Sequence, residues 1–420
     1  MASPCESAPF DVARVAREFG TPCWLYRQSM IERRIADVSR FDVVRFAQKA
    51  CSNLSILKVV KDAGAMVDAV SAGEIVRALR VGYDPRAKVP GVVYTADIFD
   101  REALDLVEKH QVPVNIGSAD MLEQLAERGI RVPLTVRINP GFGHGHSRKV
   151  NTGGDLSKHG VWHEDLPALV ARANELGYPI SGLHMHIGSG SDFAHLSQVG
   201  DAMVKAALLV GSSVRTISAG GGLPISYRKG DEATPPIDLL AYFELWDCAR
   251  KMIEKKIGHA VTLEVEPGRY LVAESGYLVA EIRAVKNQGK NRFYLLDAGF
   301  TDLVRPSFYG AYHYISIYGK DGAMLVGSEP AVVAGPLCES GDVFTQEEGG
   351  FVTTRDLPEA QVGDLLVFHD AGAYGAAMSS NYNSRPLAPE VLERGGELRL
   401  IRRRQSLEDI FRLEEPCASL

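Results

Sequence analysis

The chain has 420 residues, 45% of them hydrophobic and 24% charged, with a formal net charge of -7. Its length suits two domains rather than one, and its acidic balance argues against a nucleic-acid or anionic-membrane surface. No apolar run approaches the roughly 20 residues that span a bilayer, and the first residues lack the apolar stretch of a signal peptide, so a cytoplasmic protein is expected.

In chain order, Thr21–Arg27 reads as a strand. Eight short apolar runs then follow, at Val43–Phe46, Met66–Val70, Val92–Thr95, Val112–Ile116, Leu134–Ile138, Ile180–Ile187, Val214–Ala219 and Val261–Val265. Amphipathic stretches such as Glu74–Arg80, Glu102–His110, Met121–Arg128 and Asp165–Leu176 lie between them. Near-continuous apolar strands alternating with helices predict a parallel sheet covered by helices. Eight such units predict a (β/α)8 TIM-like barrel. After Glu266 the texture changes to strands with few long helices: Leu278–Val285, Arg292–Asp297, Val332–Gly335, Asp364–Phe368 and Glu397–Ile401. The expected organisation is a barrel over 28–268 and a mostly-β domain made from 1–27 and 269–420.

Most barrel runs end in polar groups: Lys49, Asp68, Asn115, Arg137 with Asn139, His184 with His186, Gly220-Gly221-Gly222 and Glu266. Barrel enzymes carry their active sites at the C-terminal ends of the strands, although strand ends that simply meet solvent are also polar. Each motif has a plain reading beside a chemical one. Lys49 fits a solvated lysine or an amine for Schiff-base formation. The triple glycine fits a tight turn or a phosphate site after the seventh strand. Glu266-Pro267-Gly268-Arg269 fits a structural salt bridge, or a carboxylate for a heterocycle nitrogen beside an arginine for an anion. His184 and His186, at i and i+2, would share a strand face. A metal there lacks a third ligand of suitable spacing, even with His144 and His146 in a nearby glycine-rich loop. An imidazole stacked on a flat cofactor ring suits them better, and no metal is expected. Cys338 and Glu339, within Gly335–Asp342, fit an inert loop thiol or acid/base chemistry. The remaining cysteines form no C-x-x-C pair, so neither a disulfide framework nor a zinc site is indicated. Arg305–Gly310 and Asp370–Gly375 each place a tyrosine, Tyr309 or Tyr374, in a glycine-bounded turn.

In this order, lysine after strand one, HIGSG after strand six, GGG after seven, EPGR after eight, then CESGD and GAYG, the motifs resemble the fold-type III pyridoxal-phosphate decarboxylases, of alanine-racemase-like architecture. The resemblance runs from about Thr21 to the end. FDVVRFAQKACSN, NPGFGHGHS, SKHG, RPSFYGAYH, GPLCESGDVF and MSSNYNSRPLAPEVL resemble the bacterial branch acting on meso-diaminopimelate. Departures are Phe46 where many relatives have Tyr, and His159 where many have Phe.

The resemblance implies pyridoxal 5'-phosphate as cofactor and decarboxylation of meso-2,6-diaminopimelate to L-lysine and CO2, the last step of lysine biosynthesis. It implies Lys49 as covalent anchor, His186 stacked on the ring, Gly220, Gly221 and Gly222 on the phosphate, and Glu266 on the pyridine nitrogen. Asp68, Ser189, Gly268, Arg269 and Tyr374 complete the implied cofactor set. Arg269, Arg305, Tyr309, Glu339 and Tyr374 are implied to bind substrate, and Cys338 to protonate the carbanion. A homodimer with shared active sites is implied, with the Cys338 loop reaching the partner's barrel. Ornithine, arginine, D-lysine or siderophore-precursor decarboxylases share the scaffold. A cofactor carrier would lack the trailing β domain, and a dead homologue would lack Lys49 or Cys338. A sugar-phosphate barrel enzyme would explain GGG but not CESGD or GAYG.

Overall fold

The computed structural model of the chain describes residues 7–142, 153–186, 193–228 and 236–415. Among them, no helix is long and apolar enough to cross a membrane. The chain divides into two compact units. One gathers Met1–Met30, Ser226–Pro235 and Val272–Leu420, and the other Ile31–Ile225 and Pro236–Leu271, in their described residues.

In the second unit all eight predicted runs are strands: Val43–Ala47, Met66–Ala69, Val92–Ala96, Val114–Ile116, Leu134–Asn139, Ile180–Met185, Thr216–Ser218 and Thr262–Val265. They pair in parallel with their chain neighbours. The eighth pairs with the first at Glu264 and Val43, which closes the ring into a (β/α)8 barrel. A two-residue strand, Val161–Trp162, adds to the fifth. The fourth strand starts two residues later than its apolar run, because the Val112 N–H closes the preceding helix on the Val107 carbonyl.

The helices start where side chains meet their unpaired N–H groups. Asn53 caps Leu54–Asp62, Ser71 caps Ala72–Val81, Asp100 caps Arg101–His110 and Asp238 caps Leu239–Ile257. These short polar residues at the helix starts leave the apolar faces to pack on the sheet. Ile56, Leu57, Ile75, Val107 and Ile253 are fully buried.

The barrel interior is not purely apolar. Arg45 on the first strand meets Glu264 on the eighth through two hydrogen bonds, Nε–Oε2 at 2.7 Å and Nη2–Oε1 at 2.9 Å. A third, from Nη1, reaches the Pro90 carbonyl at 2.7 Å. The pair ties the seam where the ring closes, with Arg45 3% and Glu264 9% exposed.

In the first unit the long strand Gly276–Gln288 is the spine. It pairs antiparallel with Cys23–Arg27, Asn291–Leu296 and Leu365–Phe368. Cys23–Arg27 also runs parallel to Glu390–Arg394, so the N-terminal strand lies inside a sheet built mostly from the C-terminal third. Val12, Val15, Cys23, Leu25, Tyr277, Val279, Val367 and Val391 form its core. Residues 226–228 group with this unit, whereas the expected barrel span 28–268 included them. Tyr227 lies edge-on to His313, and Arg228 stacks over Tyr312 at 4.4 Å.

Replacing Glu264 by Ala leaves Arg45 buried without its carboxylate. The barrel is expected to lose about 3–5 kcal/mol, while Arg45→Met with Glu264→Leu together costs far less. Chemical denaturation of the three proteins checks this, and equal losses in the single and double variants would contradict it.

Candidate active site

At the C-terminal ends of the barrel strands, Glu266 is the centre of the polar groups. It follows the eighth strand and is 8% exposed. Its Oε1 accepts a hydrogen bond from Ser218 Oγ at 2.7 Å, and its Oε2 lies 2.9 Å from His184 Nε2. Ser218 ends the seventh strand and His184 lies in the sixth. The parallel register that sets His184 beside Ser218, and Ser218 beside Glu264, delivers both donors to the same carboxylate. Burial alone would push the Glu266 proton affinity up. The His184 charge and hydrogen bond, the Ser218 hydrogen bond and the charge of Arg45 outweigh it and hold the group well below the ordinary carboxylate range. Glu266 is therefore an anion in a buried place.

Its neighbour Asp68, at the end of the second strand, behaves oppositely. Burial, and then the Glu266 charge, push its carboxyl up, only partly offset by a hydrogen bond with Thr95 and the charge of Lys49. Two buried carboxyls sharing one space divide their protons in this way, one held ionised and the other pushed up to about 7.

Lys49 sits on the single 3-10 turn Gln48–Ala50 directly after the first strand. Its side chain is exposed while Gln48 and Ala50 are buried. Its charge acts on Asp68, Glu74 and His186, which places the amine among the strand ends. His186 is held neutral by burial and by the charges of Arg137, Lys49 and His184, so it offers a flat, uncharged imidazole. The sixth strand ends at Met185, so the same-face alternation expected for His184 and His186 does not carry through. His184 belongs to Glu266.

The triple glycine packs where a side chain cannot. A Cβ on Gly221 would stand 2.6 Å from the Glu266 carbonyl oxygen, and one on Gly220 2.6 Å from His186 Cβ. The loop is pinned by the Gly220 N–H to Ser218 Oγ at 3.1 Å and by the Glu266 N–H to the Gly220 carbonyl at 2.8 Å. Gly222 has φ +93°. Such a loop brings bare backbone close to a ligand. Gly268 packs against Ala47 and Ala50, next to the lysine turn, and Arg269 opens the short helix Arg269–Val272. Ser189 lies outside the described residues, as do His144 and His146. Among the described residues, no three His, Cys, Asp or Glu side chains could hold a metal.

The other candidate residues lie in the first unit. Arg305 is buried at the start of the helix Arg305–Tyr309, and Tyr309 packs edge-on to Phe308. Cys338 and Glu339 are exposed on a loop ordered around Asp342. Asp342 Oδ2 accepts from the Leu337 N–H at 2.8 Å and its Oδ1 from the Phe300 N–H at 2.7 Å. The Cys338 N–H donates to Asn383 Oδ1 at 2.9 Å. Ser307 Oγ donates to the Gly341 carbonyl at 2.9 Å, joining the Arg305–Tyr309 helix to the Cys338 loop. Tyr374 is held at φ +58° in its glycine-bounded turn. A left-handed backbone at a non-glycine residue is costly and persists where surroundings enforce it. Here Gly276 and Gly372 touch so closely that a Cβ on either would overlap the other's backbone.

Ser218 and Asn383 carry no site signal in the sequence: each is a short polar side chain whose partner, Glu266 or Cys338, lies 48 or 45 residues away, and only the fold connects them.

The groups on the barrel ends fit a flat, phosphorylated pyridine aldehyde. The ionised Glu266 suits a pyridinium N–H, the neutral His186 a ring face, the glycine loop a phosphate, and Lys49 the aldehyde carbon. Because the folded-state affinity of Glu266 is depressed, it stabilises the fold above the ordinary value of 4.5, and that contribution fades as the pH falls below it. Ser218→Ala removes one donor and raises that affinity. Above the ordinary value of 4.5 the variant is expected to be less stable than the parent, to lose less of its stability as the pH falls below that value, and to bind pyridoxal phosphate more weakly. Coincident acid profiles and equal affinity would contradict this.

A family model for the pyridoxal-dependent decarboxylases, pyridoxal binding domain, matches residues 28–273. Diaminopimelate decarboxylase of Escherichia coli K12 is 53% identical over 406 residues, covering 96% of each chain. A solved diaminopimelate decarboxylase structure superposes with a TM-score of 0.93 at 52% identity, covering 97% of this chain and 98% of the other. The Helicobacter pylori diaminopimelate decarboxylase, solved in complex with L-lysine, has a TM-score of 0.84 at 30% identity over 96% of this chain and 98% of its own. With the buried carboxylate, glycine loop and strand-end lysine in place, the chain belongs to the diaminopimelate decarboxylase family of pyridoxal-dependent decarboxylases.

Proposed function

We propose that this protein decarboxylates meso-2,6-diaminopimelate to L-lysine and CO2, as a cytoplasmic homodimer supplying the last step of lysine formation. The observation that carries the reading is the ionised Glu266, held between Ser218 and His184 beside a glycine loop and a strand-end lysine. Full-length likeness to diaminopimelate decarboxylases supports the substrate.

Bound pyridoxal phosphate supplies the electron sink for the pair left on Cα when CO2 departs. The protein's own groups do the rest. Lys49 would provide the amine that anchors the cofactor. Glu266 keeps a carboxylate facing the ring nitrogen, since its two donors make protonating it costly. His186 covers one ring face, and Gly220, Gly221 and Gly222 offer backbone to the phosphate. Asp68, Ser189, Gly268, Arg269 and Tyr374 complete the cofactor set. Cys338, on the loop ordered by Asp342, delivers a proton to Cα in place of CO2. In the proposed dimer the Cys338 loop of one protomer serves the barrel of its partner.

Selectivity rests on the substrate's far end, an amine and a carboxylate together. Arg269, Arg305, Tyr309 and Glu339, with Tyr374, offer two cations, hydroxyls and an anion. Ornithine or lysine would leave arginines facing no carboxylate, and sites with buried polar groups reject such analogues strongly.

A panel of meso-diaminopimelate, ornithine, arginine and D-lysine, with and without added pyridoxal phosphate, tests the function. Cofactor-dependent release of CO2 with lysine from diaminopimelate alone is expected, and turnover of another member instead would move the protein to a sister activity. Lys49→Ala is expected to abolish both turnover and the visible absorbance of the bound cofactor. Cys338→Ala is expected to lower kcat by about 10²–10⁴-fold with cofactor retained. Loss of the cofactor in Cys338→Ala would make that cysteine structural.

A further inference from the structure

Arg305 is a buried guanidinium whose direction is set by an imidazole. Its Nη1 lies 2.8 Å from His313 Nε2. His313 Nδ1 lies 2.9 Å from the carbonyl oxygen of His369. Arg305, His313 and His369 are all buried. A guanidinium can only donate and a carbonyl oxygen can only accept. The two contacts therefore admit one proton arrangement: His313 Nε2 presents its lone pair to Arg305, and His313 Nδ1 carries the hydrogen that His369 accepts. His313 is a neutral imidazole in a single tautomer.

That tautomer is itself held. Arg355 Nη1 donates to the His313 carbonyl at 2.7 Å, with its guanidinium stacked 3.8 Å from the Tyr312 ring centroid. The His369 carbonyl is fixed because His369 ends the strand edge beside Leu365–Phe368, its N–H bonds to the Tyr314 carbonyl and its Nε2 lies 2.7 Å from Ser316 Oγ. Tyr227 supports the pair, edge-on to His313 at 5.4 Å and 4.8 Å from the Arg305 guanidinium. These buried contacts set the direction of Arg305 in the structure without a ligand. Prior orientation of a planar fork is what gives arginine its selectivity for carboxylates.

We propose that His313 is a positioning residue for substrate recognition: as a neutral acceptor in one tautomer it aims Arg305 at the far-end carboxylate of the amino acid. The inference rests on Arg305 binding substrate, as proposed above. His313 acts through Arg305 and touches neither the cofactor nor the reacting atoms.

Three substitutions at one position separate reach from polarity. His313→Phe keeps a ring against Tyr227 and loses both nitrogens. His313→Asn places its amide near the Nδ1 position, reaching the His369 carbonyl but not Arg305. His313→Gln extends an oxygen toward the Nε2 position and can accept from Arg305. KM for meso-diaminopimelate is expected to rise about 10–100-fold in the Phe and Asn variants, the effect of losing one hydrogen bond to a charged group. The Gln variant is expected to recover most of it. In all three, kcat and the affinity for pyridoxal phosphate are expected to change little. In an Arg305→Ala background the His313 substitutions should add nothing to KM.

Equal KM in the Asn and Gln variants, or additive effects with Arg305→Ala, would overturn the role assigned to His313. Should His313→Phe fail to fold, the Asn and Gln contrast decides alone. An unchanged KM in Arg305→Ala itself would instead remove Arg305 from the substrate site, a different failure from that of His313.

Discussion

A carboxylate that stays ionised inside a barrel of apolar strands is the constraint from which the site follows. Burial of an unpaired charge costs far more than a domain's net stability can bear, so it survives only with donors on its oxygens. Glu266 has Ser218 on one oxygen and His184 on the other. Neither donor is adjacent in sequence. Both are brought by the closed register of the sixth, seventh and eighth strands, and that register is sealed at the first strand by Arg45 and Glu264. The ring closure and the chemistry are therefore linked. Arg45 of the seam also adds positive charge near Glu266, and burial together with the Glu266 charge in turn raises the Asp68 carboxyl.

The first unit solves a different problem, that of presenting exposed groups in fixed directions. Cys338 is exposed, yet both flanks of its loop are pinned: Asp342 gathers the N–H groups of Leu337 and Phe300, and Asn383 takes the Cys338 N–H. Asn383 itself sits at φ +55°, a conformation asparagine tolerates better than most side chains. Arg305 is directed by the His313 imidazole.

Much of this was legible in the chain. Eight apolar runs marked the barrel strands because parallel strands are buried on both faces and read as continuous apolar stretches. Lys49, the triple glycine and Glu266 stood out because each follows such a run. Three strands of the first unit, Ile315–Tyr318, Arg355–Leu357 and Glu390–Arg394, did not. Arg355–Leu357 is too short to show a period, and Glu390–Arg394 is half polar because its C-terminal end is exposed. Ser218 gave no sign of its role, since a serine in a strand is unremarkable and its partner lies 48 residues away. His184 and His186 looked like a same-face pair. The strand ends between them, so one serves the carboxylate and the other is held as a neutral ring. His313 was hidden for the same reason as Ser218: hydrogen-bond direction depends on the partner, and the partner is known only once the sheet is assembled.

The account stands or falls on the charge of Glu266 and on what that charge does to the ring nitrogen it faces. The direct measurement is the ¹⁵N chemical shift of pyridoxal phosphate labelled at the pyridine nitrogen and bound to the protein, compared with Glu266→Gln and Ser218→Ala. The account predicts a pyridinium shift in the parent across the neutral range, partial loss of it in Ser218→Ala and an unprotonated nitrogen in Glu266→Gln. An unprotonated nitrogen in the parent would contradict it, because the buried carboxylate would then have some purpose other than holding that proton in place.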